Sequence, residues 1–440
     1  MKLSGWGRYP TIDAQVTAPR STDELANLVK EGSAIARGNG RAYGDSAVSP
    51  TNTIHMKHFN RMLAFDEESG QLVAEAGVLL ADVIEAFLPR GWFPSVTPGT
   101  KFVTLGGMIA ADVHGKNHHK DGSFGSYVDW IDIFTADGTV QRCSQTENTE
   151  LFEWTIGGMG LTGVILRAAI RLRPVTSAWI EQTTLAADNI THAIELFENS
   201  LDATYSVAWI DCLQTGEELG RSLVMLGEHA QATSVPLRYR KQPFQMPAKR
   251  KLNIPVDVPG WVLNSFSVRA FNALYYWNGK RRPKRQIVDW DSYFYPLDSV
   301  LGWNKIYGPH GFAQFQCVIP LSQAEDGLTE LLAAIASAGA GSFLAVLKRF
   351  GAQESRFSFP MEGYTLALDF PVNRKSLALM NELDSITLQH NGRFYLAKDS
   401  RMQRDVFLQS DRRAEDYSKY RRDESVSAAY SSAQSERLGL

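Results

Sequence analysis

The chain has 440 residues, 44% of them hydrophobic and 21% charged, with a formal net charge of −3. That profile is globular and excludes collagen, coiled coil and disorder, while the length exceeds one ordinary core, so two domains are expected. No apolar run reaches the roughly 18 residues of a membrane span, Met1 to Pro10 lacks a hydrophobic signal segment, and the scattered Cys143, Cys212 and Cys317 suit neither a disulfide framework nor a Cys-rich metal site.

The first 175 residues alternate short strands and helices with many glycines. Ser21 to Glu24 reads as a capping box ahead of Leu25, Leu28 and Val29, which predicts a helix. Ala34 to Arg37, Thr53 to Met56 and Gln71 to Ala76 read as strands, and Leu80, Val83, Ile84, Phe87 and Leu88 follow helical spacing until Pro89. Pro174 ends this region. Beyond it the glycine density falls, and Ser206 to Asp211, Phe312 to Ile319, Thr365 to Phe370 and Arg393 to Ala397 read as strands of a separate sheet. Leu328, Leu331, Leu332 and Ile335 mark one helix between them. Leu377, Met380, Leu383 and Ile386 mark another, with Gly392 as its predicted C-terminal cap.

Charge is unevenly spread. Between Arg238 and Arg285 stand Arg238, Arg240, Lys241, Lys249, Arg250, Lys251, Arg269, Lys280, Arg281, Arg282, Lys284 and Arg285, against the single acid Asp257. Pro236, Pro243, Pro247, Pro255, Pro259 and Pro283 punctuate the stretch, as in a solvated surface insertion. Trp261, Phe266, Phe271, Tyr275, Tyr276 and Trp277 add a second reading, a basic and aromatic surface for anionic headgroups or a lipid phosphate. No nucleic-acid motif accompanies the charge, so nucleic acid is not an expected partner.

Three glycine-rich segments carry the chemistry. Arg37-Gly38-Asn39-Gly40-Arg41-Ala42-Tyr43-Gly44-Asp45 follows a strand, and its backbone amides, backed by Arg37 and Arg41, suit a pyrophosphate. Taken alone it is equally a tight turn, and its spacing is neither a Rossmann fingerprint nor a P-loop. Small residues dominate Pro98-Gly99-Thr100 and Thr104 through Gly115, and Gly157-Gly158-Met159-Gly160-Leu161-Thr162-Gly163 leads into the apolar Val164 and Ile165. Together the three suggest a dinucleotide bound along its whole length. His114, His118 and His119 invite a metal reading, but no acidic or cysteine partner completes a ligand set, so no metal is expected.

The order R-G-x-G-R-x-Y-G-D, then P-G-T with G-G-x-I-A-x-D-x-H-G-K-N-H-H, then G-G-x-G-L-T-G resembles the vanillyl-alcohol-oxidase type (PCMH-type) of FAD-binding oxidoreductase. Gly5-Trp6-Gly7-Arg8, His114 to His119, Trp303-Asn304 with Tyr307-Gly308-Pro309, and Ala397-Lys398-Asp399-Ser400-Arg401 extend the resemblance over almost the whole chain to the decaprenylphosphoryl-β-D-ribose 2-oxidase family. It implies an α+β, two-domain fold: an FAD-binding domain over 1–175, a mixed α/β substrate-binding domain over 176–394 with the basic aromatic insertion near 236–290, and a segment 395–440 returning to the FAD domain. It implies oxidation of the 2-hydroxyl of a polyprenyl-phosphate-linked ribose to a 2-keto sugar, in arabinose-donor or cell-envelope glycan synthesis, with an NAD(P)H-dependent short-chain keto-sugar reductase as pathway partner. The expected location is cytoplasmic, with peripheral contact at the inner face of the membrane. The rival within the fold is a soluble polyol, aldonolactone or sugar oxidase that passes electrons to oxygen.

By resemblance, FAD lies along Ala36, Arg37, Gly38, Asn39, Gly40, Arg41, Ala42, Tyr43, Gly44, Asp45 and Ser46, then along Gly99, Thr104, Leu105, Gly106, Gly107, Ala111, Asp112, Val113 and His114, and against Ile165 and Tyr395. Arg41 occupies the place where some relatives carry the histidine that links FAD covalently, so non-covalent FAD is expected. Lys398, His114 and Lys116 are the candidate catalytic residues, because alcohol oxidation by a flavin needs a route for the hydroxyl proton and positive charge near the ring. Without the resemblance, Lys398 is equally a surface lysine paired with Asp399. Tyr43, Lys116, Gln314, Gln316, Lys348 and Lys398 would line the sugar and phosphate pocket, Trp209 and Phe312 would wall it, and Thr365 and Ala367 stand where familiar members carry asparagine and cysteine. Arg421 to Leu440 follows the family pattern only loosely.

Overall fold

The computed structural model describes every residue except Glu31, Arg250, 260–263, Phe343 and 424–428. Arg250 and Trp261 of the basic aromatic stretch thus lie outside the described residues.

Hydrophobic spacing sets the helices. Leu80, Val83, Ile84 and Phe87 are the buried stripe of the helix Leu80–Phe87, and Pro89, which has no N–H to continue the ladder, sits in the 3-10 turn Leu88–Arg90 beyond it. Leu328, Leu331, Leu332 and Ile335 are buried along Ala324–Ala338, and Met380, Leu383 and Ile386, joined by Leu379, along Arg374–Gln389. The end of that last helix departs from the sequence reading. Asn391 rather than Gly392 takes the left-handed conformation, at φ 55°, while the Gly392 N–H donates to Thr387 O at 2.8 Å and the Asn391 N–H to Leu388 O at 3.1 Å. Both bonds of a Schellman cap are therefore present around an asparagine, the residue that tolerates this conformation best after glycine.

Three sheets carry the architecture, an α+β arrangement. A small parallel sheet orders Val16–Thr17, Asn52–His55 and Ala34–Arg37. An antiparallel sheet orders Val140–Ser144, Val128–Phe134, Val164–Pro174, Gln71–Glu75 and Met62–Asp66, with Trp92–Pro94 on the far end of Val164–Pro174. The third sheet is antiparallel and eight-stranded, in the order Arg285–Asp289, Trp179–Ala187, Ser222–His229, Tyr205–Ile210, Val346–Phe350, Gly363–Pro371, Phe312–Pro320 and Arg393–Phe394. The basic stretch thus ends as an edge strand of this sheet rather than as a loop.

Because strand side chains alternate, each strand of the large sheet contributes to two surfaces. Phe315, Cys317, Leu347, Leu366 and Leu368 share a core with the helices Ala324–Ala338 and Arg374–Gln389. The residues between them, Gln314, Gln316, Lys348, Thr365, Ala367 and Asp369, fall on the opposite face. There the register runs Gln316 opposite Ala367, Ala367 opposite Val346 and Val346 opposite Trp209, one row across four strands.

The predicted strand Arg393 to Ala397 stops pairing at Phe394, because the chain must leave the sheet edge to reach the first glycine segment. The Lys398 N–H donates to Tyr395 O at 2.9 Å, closing a turn, and the Tyr43 N–H donates to Ala397 O at 3.0 Å. Asp399 then accepts from the Arg401 and Met402 N–H groups, from Gln434 at 3.1 Å and from Arg437 at 2.8 Å, and Arg437 also holds Asp45 at 2.8 Å. Further along, the Ala34 N–H donates to Ala429 O and the Ser431 N–H to Ala34 O, so the end of the chain extends the edge of the small parallel sheet. Gly44 is pressed against the turn: a Cβ there would stand 2.1 Å from Asp399 O and 2.7 Å from Ser400 Cα, both backbone atoms. Gly44→Ala is expected to lower stability by about 1–3 kcal/mol, the usual cost of overpacking. A thermal unfolding midpoint equal to that of the unmodified protein would show that the turn is free to move.

Candidate active site

The three glycine segments converge. The Gly157 N–H donates to Ile109 O at 3.1 Å and the Met159 N–H to Ala110 O at 2.8 Å, which joins the third segment to the helix Leu105–Ala110 of the second. Thr104 caps that helix, its Oγ1 accepting from the Gly107 N–H, and the same oxygen lies where a Cβ on Gly38 would be, which packs the first segment on the second. The backbone N–H groups of Asn39, Gly40, Arg41 and Ala42 have no acceptor among the described residues. A row of four such donors in a glycine turn fits a pyrophosphate.

Arg37 plays a different part from the one its sequence suggests. Its guanidinium donates to Ser4 O at 2.8 Å and Ala47 O at 3.3 Å beneath Gly40, satisfying carbonyls of the N-terminal segment instead of facing a phosphate. Arg41 lies 4.0 Å from the Trp6 ring and 5.2 Å from that of Phe102, and it keeps its cation beside the loop. Asp45 is tied to Arg437, and Asp112, at φ 37°, accepts from Ser123, the Gly125 N–H and Gln353. Their backbones are the parts left to meet a dinucleotide. Ile165 is buried in the hydrophobic core, and the Tyr395 hydroxyl donates to Ala111 O at 3.0 Å.

A polar chain fixes His114. The Thr365 hydroxyl gives its one proton to Cys317 O at 2.8 Å, so its oxygen can only accept from the Gln316 amide, at 3.2 Å. The second proton of that amide points to His114 Nε2 at 3.1 Å, which makes Nε2 the acceptor and places the imidazole proton on Nδ1. Burial first, then the charges of Lys348, His118 and Lys398, hold the His114 pKa well below the usual range, so the ring is neutral. Its Nδ1 is buried and has no hydrogen-bond partner among the described residues. An orphaned donor of this kind calls for an acceptor on a bound group.

Three lysines gather around it. Lys398 Nζ stands 3.6 Å from the centre of the Tyr43 ring, and with Asp399 committed to Arg437, Gln434 and two amides, Lys398 has no carboxylate within salt-bridge distance among the described residues. Lys116 Nζ donates to Tyr293 O and sits 4.4 Å from the Tyr293 ring; its pKa is lowered to about 7 by burial and by Lys348. Burial lowers Lys348 to about 8. The carboxylate that faces this group is Asp369, which accepts from Gln314 Nε2 at 2.5 Å. Burial pushes Asp369 up and Lys398 down, while their mutual attraction restrains both. Such a site can favour an anion, offer two amides to hydroxyl groups and hold a proton at Lys398 or Asp369.

Every residue expected at the sugar pocket from the large sheet, Trp209, Gln314, Gln316, Lys348, Thr365 and Ala367, thus shares its face, with His114, Lys116 and Lys398 brought there by other segments. His118 and His119 diverge, the first bonded to Gln353 at 2.7 Å and the second to Ala203 O at 2.8 Å. Sequence reading missed Asp369, although its spacing of two and four from Ala367 and Thr365 was a usable signal. It also missed Tyr293, which reaches Lys116 from a separate helix, Trp290–Phe294, with no local cue.

Thr365→Val removes the acceptor that orients Gln316. The expected outcome is a loss of about 0.5–1.5 kcal/mol in stability, together with a mixture of His114 tautomers in place of one. Nitrogen-15 NMR of the labelled histidines reads this directly, and a single Nδ1–H form in the variant would show that Thr365 does not set the His114 tautomer.

The FAD binding domain family model matches residues 14–144. The decaprenylphosphoryl-beta-D-ribose oxidase of Mycolicibacterium smegmatis is 34% identical over 100% of this chain and 97% of its own length. An uncharacterized protein of Streptomyces coelicolor is 32% identical over 82% of this chain and 100% of its own, and the L-gulonolactone oxidase of Bos taurus is 31% identical over 42% of each. The unpaired amides of the glycine loop, the orphaned His114 donor and the full-length similarity agree on the cofactor: the chain belongs to the decaprenylphosphoryl-ribose oxidase family of PCMH-type FAD oxidoreductases, which act on CH–OH groups.

Proposed function

We propose that this protein oxidises the 2-hydroxyl of a polyprenyl-phosphate-linked ribose to a 2-keto sugar. The observation that carries the reading is the cation excess of the pocket: Lys348 and Lys398 lie close enough to act on His114, the partner of Gln316, and Lys116 lies close enough to act on Lys348, a set that matches a sugar carrying a phosphate better than a neutral polyol. The partial coverage of the gulonolactone oxidase, against the full coverage of the ribose-lipid enzyme, points the same way. Bound FAD, held without a covalent link given Arg41 in the loop, supplies the acceptor for the hydride of the carbinol carbon. Lys116 and Lys348 hold the phosphate, Gln314 and Gln316 orient the ring hydroxyls, and Lys398 with Asp369 takes the hydroxyl proton. The keto product calls for a subsequent reduction by an NAD(P)H-dependent reductase, giving an arabinose donor for cell-envelope glycans.

Two measurements test this. Lys398→Ala is expected to keep FAD yet slow its anaerobic reduction by substrate by about a hundredfold to a thousandfold, the usual effect of removing one preorganised charge. Unmodified reduction rates in a fully flavinated variant would remove Lys398 from the mechanism. The second concerns pH. Lys116 and Lys348 lose their protons as pH rises through about 7 and about 8, so anion binding weakens in that direction. KM for the phosphate-linked ribose is expected to climb between pH 7 and 9, whereas KM for an uncharged ribose glycoside stays level; parallel profiles would rule out phosphate recognition by these lysines.

A further inference from the structure

The helix Ser265–Arg281 buries one stripe, Val268, Asn272 and Tyr276, spaced four residues apart. Asn272 donates to Asp211 at 2.8 Å and the Tyr276 hydroxyl to Ala187 O at 3.2 Å, so this side is firmly seated on the large sheet. A surface helix normally turns polar groups outward on its other side. Here the outward ridge is Phe266, Ala270, Leu274 and Trp277, with Phe266 81%, Leu274 58% and Trp277 49% exposed. From Val258 to Val288 the sequence has no acidic residue. Arg269, Arg281, Arg282, Lys284 and Arg285 have no carboxylate partner among the described residues, whereas Lys280 pairs with Asp188.

We infer that the outward face of this helix, with the basic turn that follows it, is a docking surface for an anionic lipid bilayer. An apolar ridge flanked by cations, on a helix held flat against the protein by its other face, is the arrangement of an in-plane interfacial helix. Charge complementarity chooses the occupant: a surface with five cations that have no carboxylate partner among the described residues, against the one acid Asp188 that Lys280 pairs, suits an anionic leaflet and repels a like surface on a second copy. Location supports it. Tyr275 of the helix lies 4.7 Å from the Trp209 ring. The row that begins at Gln316 continues through Trp209 to Leu223 and Ala186, against which the helix packs. Pocket and docking face therefore adjoin on one side of one sheet. The proposal deepens the lipid-linked reading, resting on it for the direction of the polyprenyl tail, which would pass from the pocket by Trp209 into the bilayer.

The test uses the full-length flavoprotein and large unilamellar vesicles of phosphatidylcholine, with and without 30 mol% phosphatidylglycerol, in the sedimentation assay. Binding to the anionic vesicles is expected, with release at high salt, since each cation near such a surface adds roughly fivefold in affinity at low ionic strength. The triple variant Phe266→Ser, Leu274→Ser, Trp277→Ser is expected to lose that binding while it retains FAD and reduces it with a short-chain, soluble substrate analogue. Arg281→Glu with Arg282→Glu should lose the anionic preference alone. Equal sedimentation of the triple variant, no sedimentation of the unmodified protein, or self-association abolished by the triple variant in place of vesicle binding would each overturn the proposal. Vesicle binding with no flavin reduction by any lipid-linked ribose would instead leave the docking face standing and defeat the substrate reading.

Discussion

The Tyr43 N–H to Ala397 carbonyl bond is the constraint on which the site depends. It ties a loop near the start of the chain to a turn about 350 residues later, and both ends of the tie carry chemistry. On one side the loop offers its unpaired amides; on the other Lys398 is set over the Tyr43 ring. The tie is reinforced by Asp399. Burial pushes its carboxyl upward, but Arg437 and the Arg401 and Met402 amides more than offset that, and the net displacement is downward. A carboxylate so saturated with donors stays charged, keeps the turn closed and has no capacity left for Lys398. The neighbouring lysine is therefore available to the pocket because its sequence neighbour is not available to it.

The pocket that results is out of electrostatic balance. Three lysines converge with one carboxylate, Asp369, and burial draws each lysine toward its neutral form. Buried unpaired ions cost several kcal/mol, which a protein tolerates where a ligand completes the balance. The neutral His114, held through Nε2, belongs to the same design: burial first, and then the charges of Lys348 and Lys398, keep it an N–H donor on Nδ1 rather than a further cation.

Much of this was legible in the amino-acid sequence, for local reasons. Helices with three or four regularly spaced apolar residues, such as Ala324–Ala338, and strands with alternating ones, such as Phe312–Pro320, are decided by which side must be buried. The same alternation placed Gln314 and Gln316 on one face, and it puts Asp369, within the strand read from Thr365 to Phe370, on the face of Thr365 and Ala367. What escaped depends on contacts remote in sequence. Arg37 looks like an anion ligand until Ser4 and Ala47 claim it, Lys398 looks exposed until Arg437 takes Asp399, and Asn391 replaces Gly392 at a cap because an asparagine also accepts φ 55°.

The large sheet shows how one periodicity serves two purposes. Its first face is closed by helices in an apolar core and accounts for stability. Its second face is shared along a row, with Gln316 and Ala367 at the pocket, Val346 and Trp209 between, and Leu223 and Ala186 beneath the helix Ser265–Arg281. A shift of one residue in any strand would exchange the two faces, bringing amides and lysines into the apolar core and exposing leucines in the pocket. Register is thus held by both surfaces at once, and the side chains that recognise substrate are as firmly specified as the core that supports them.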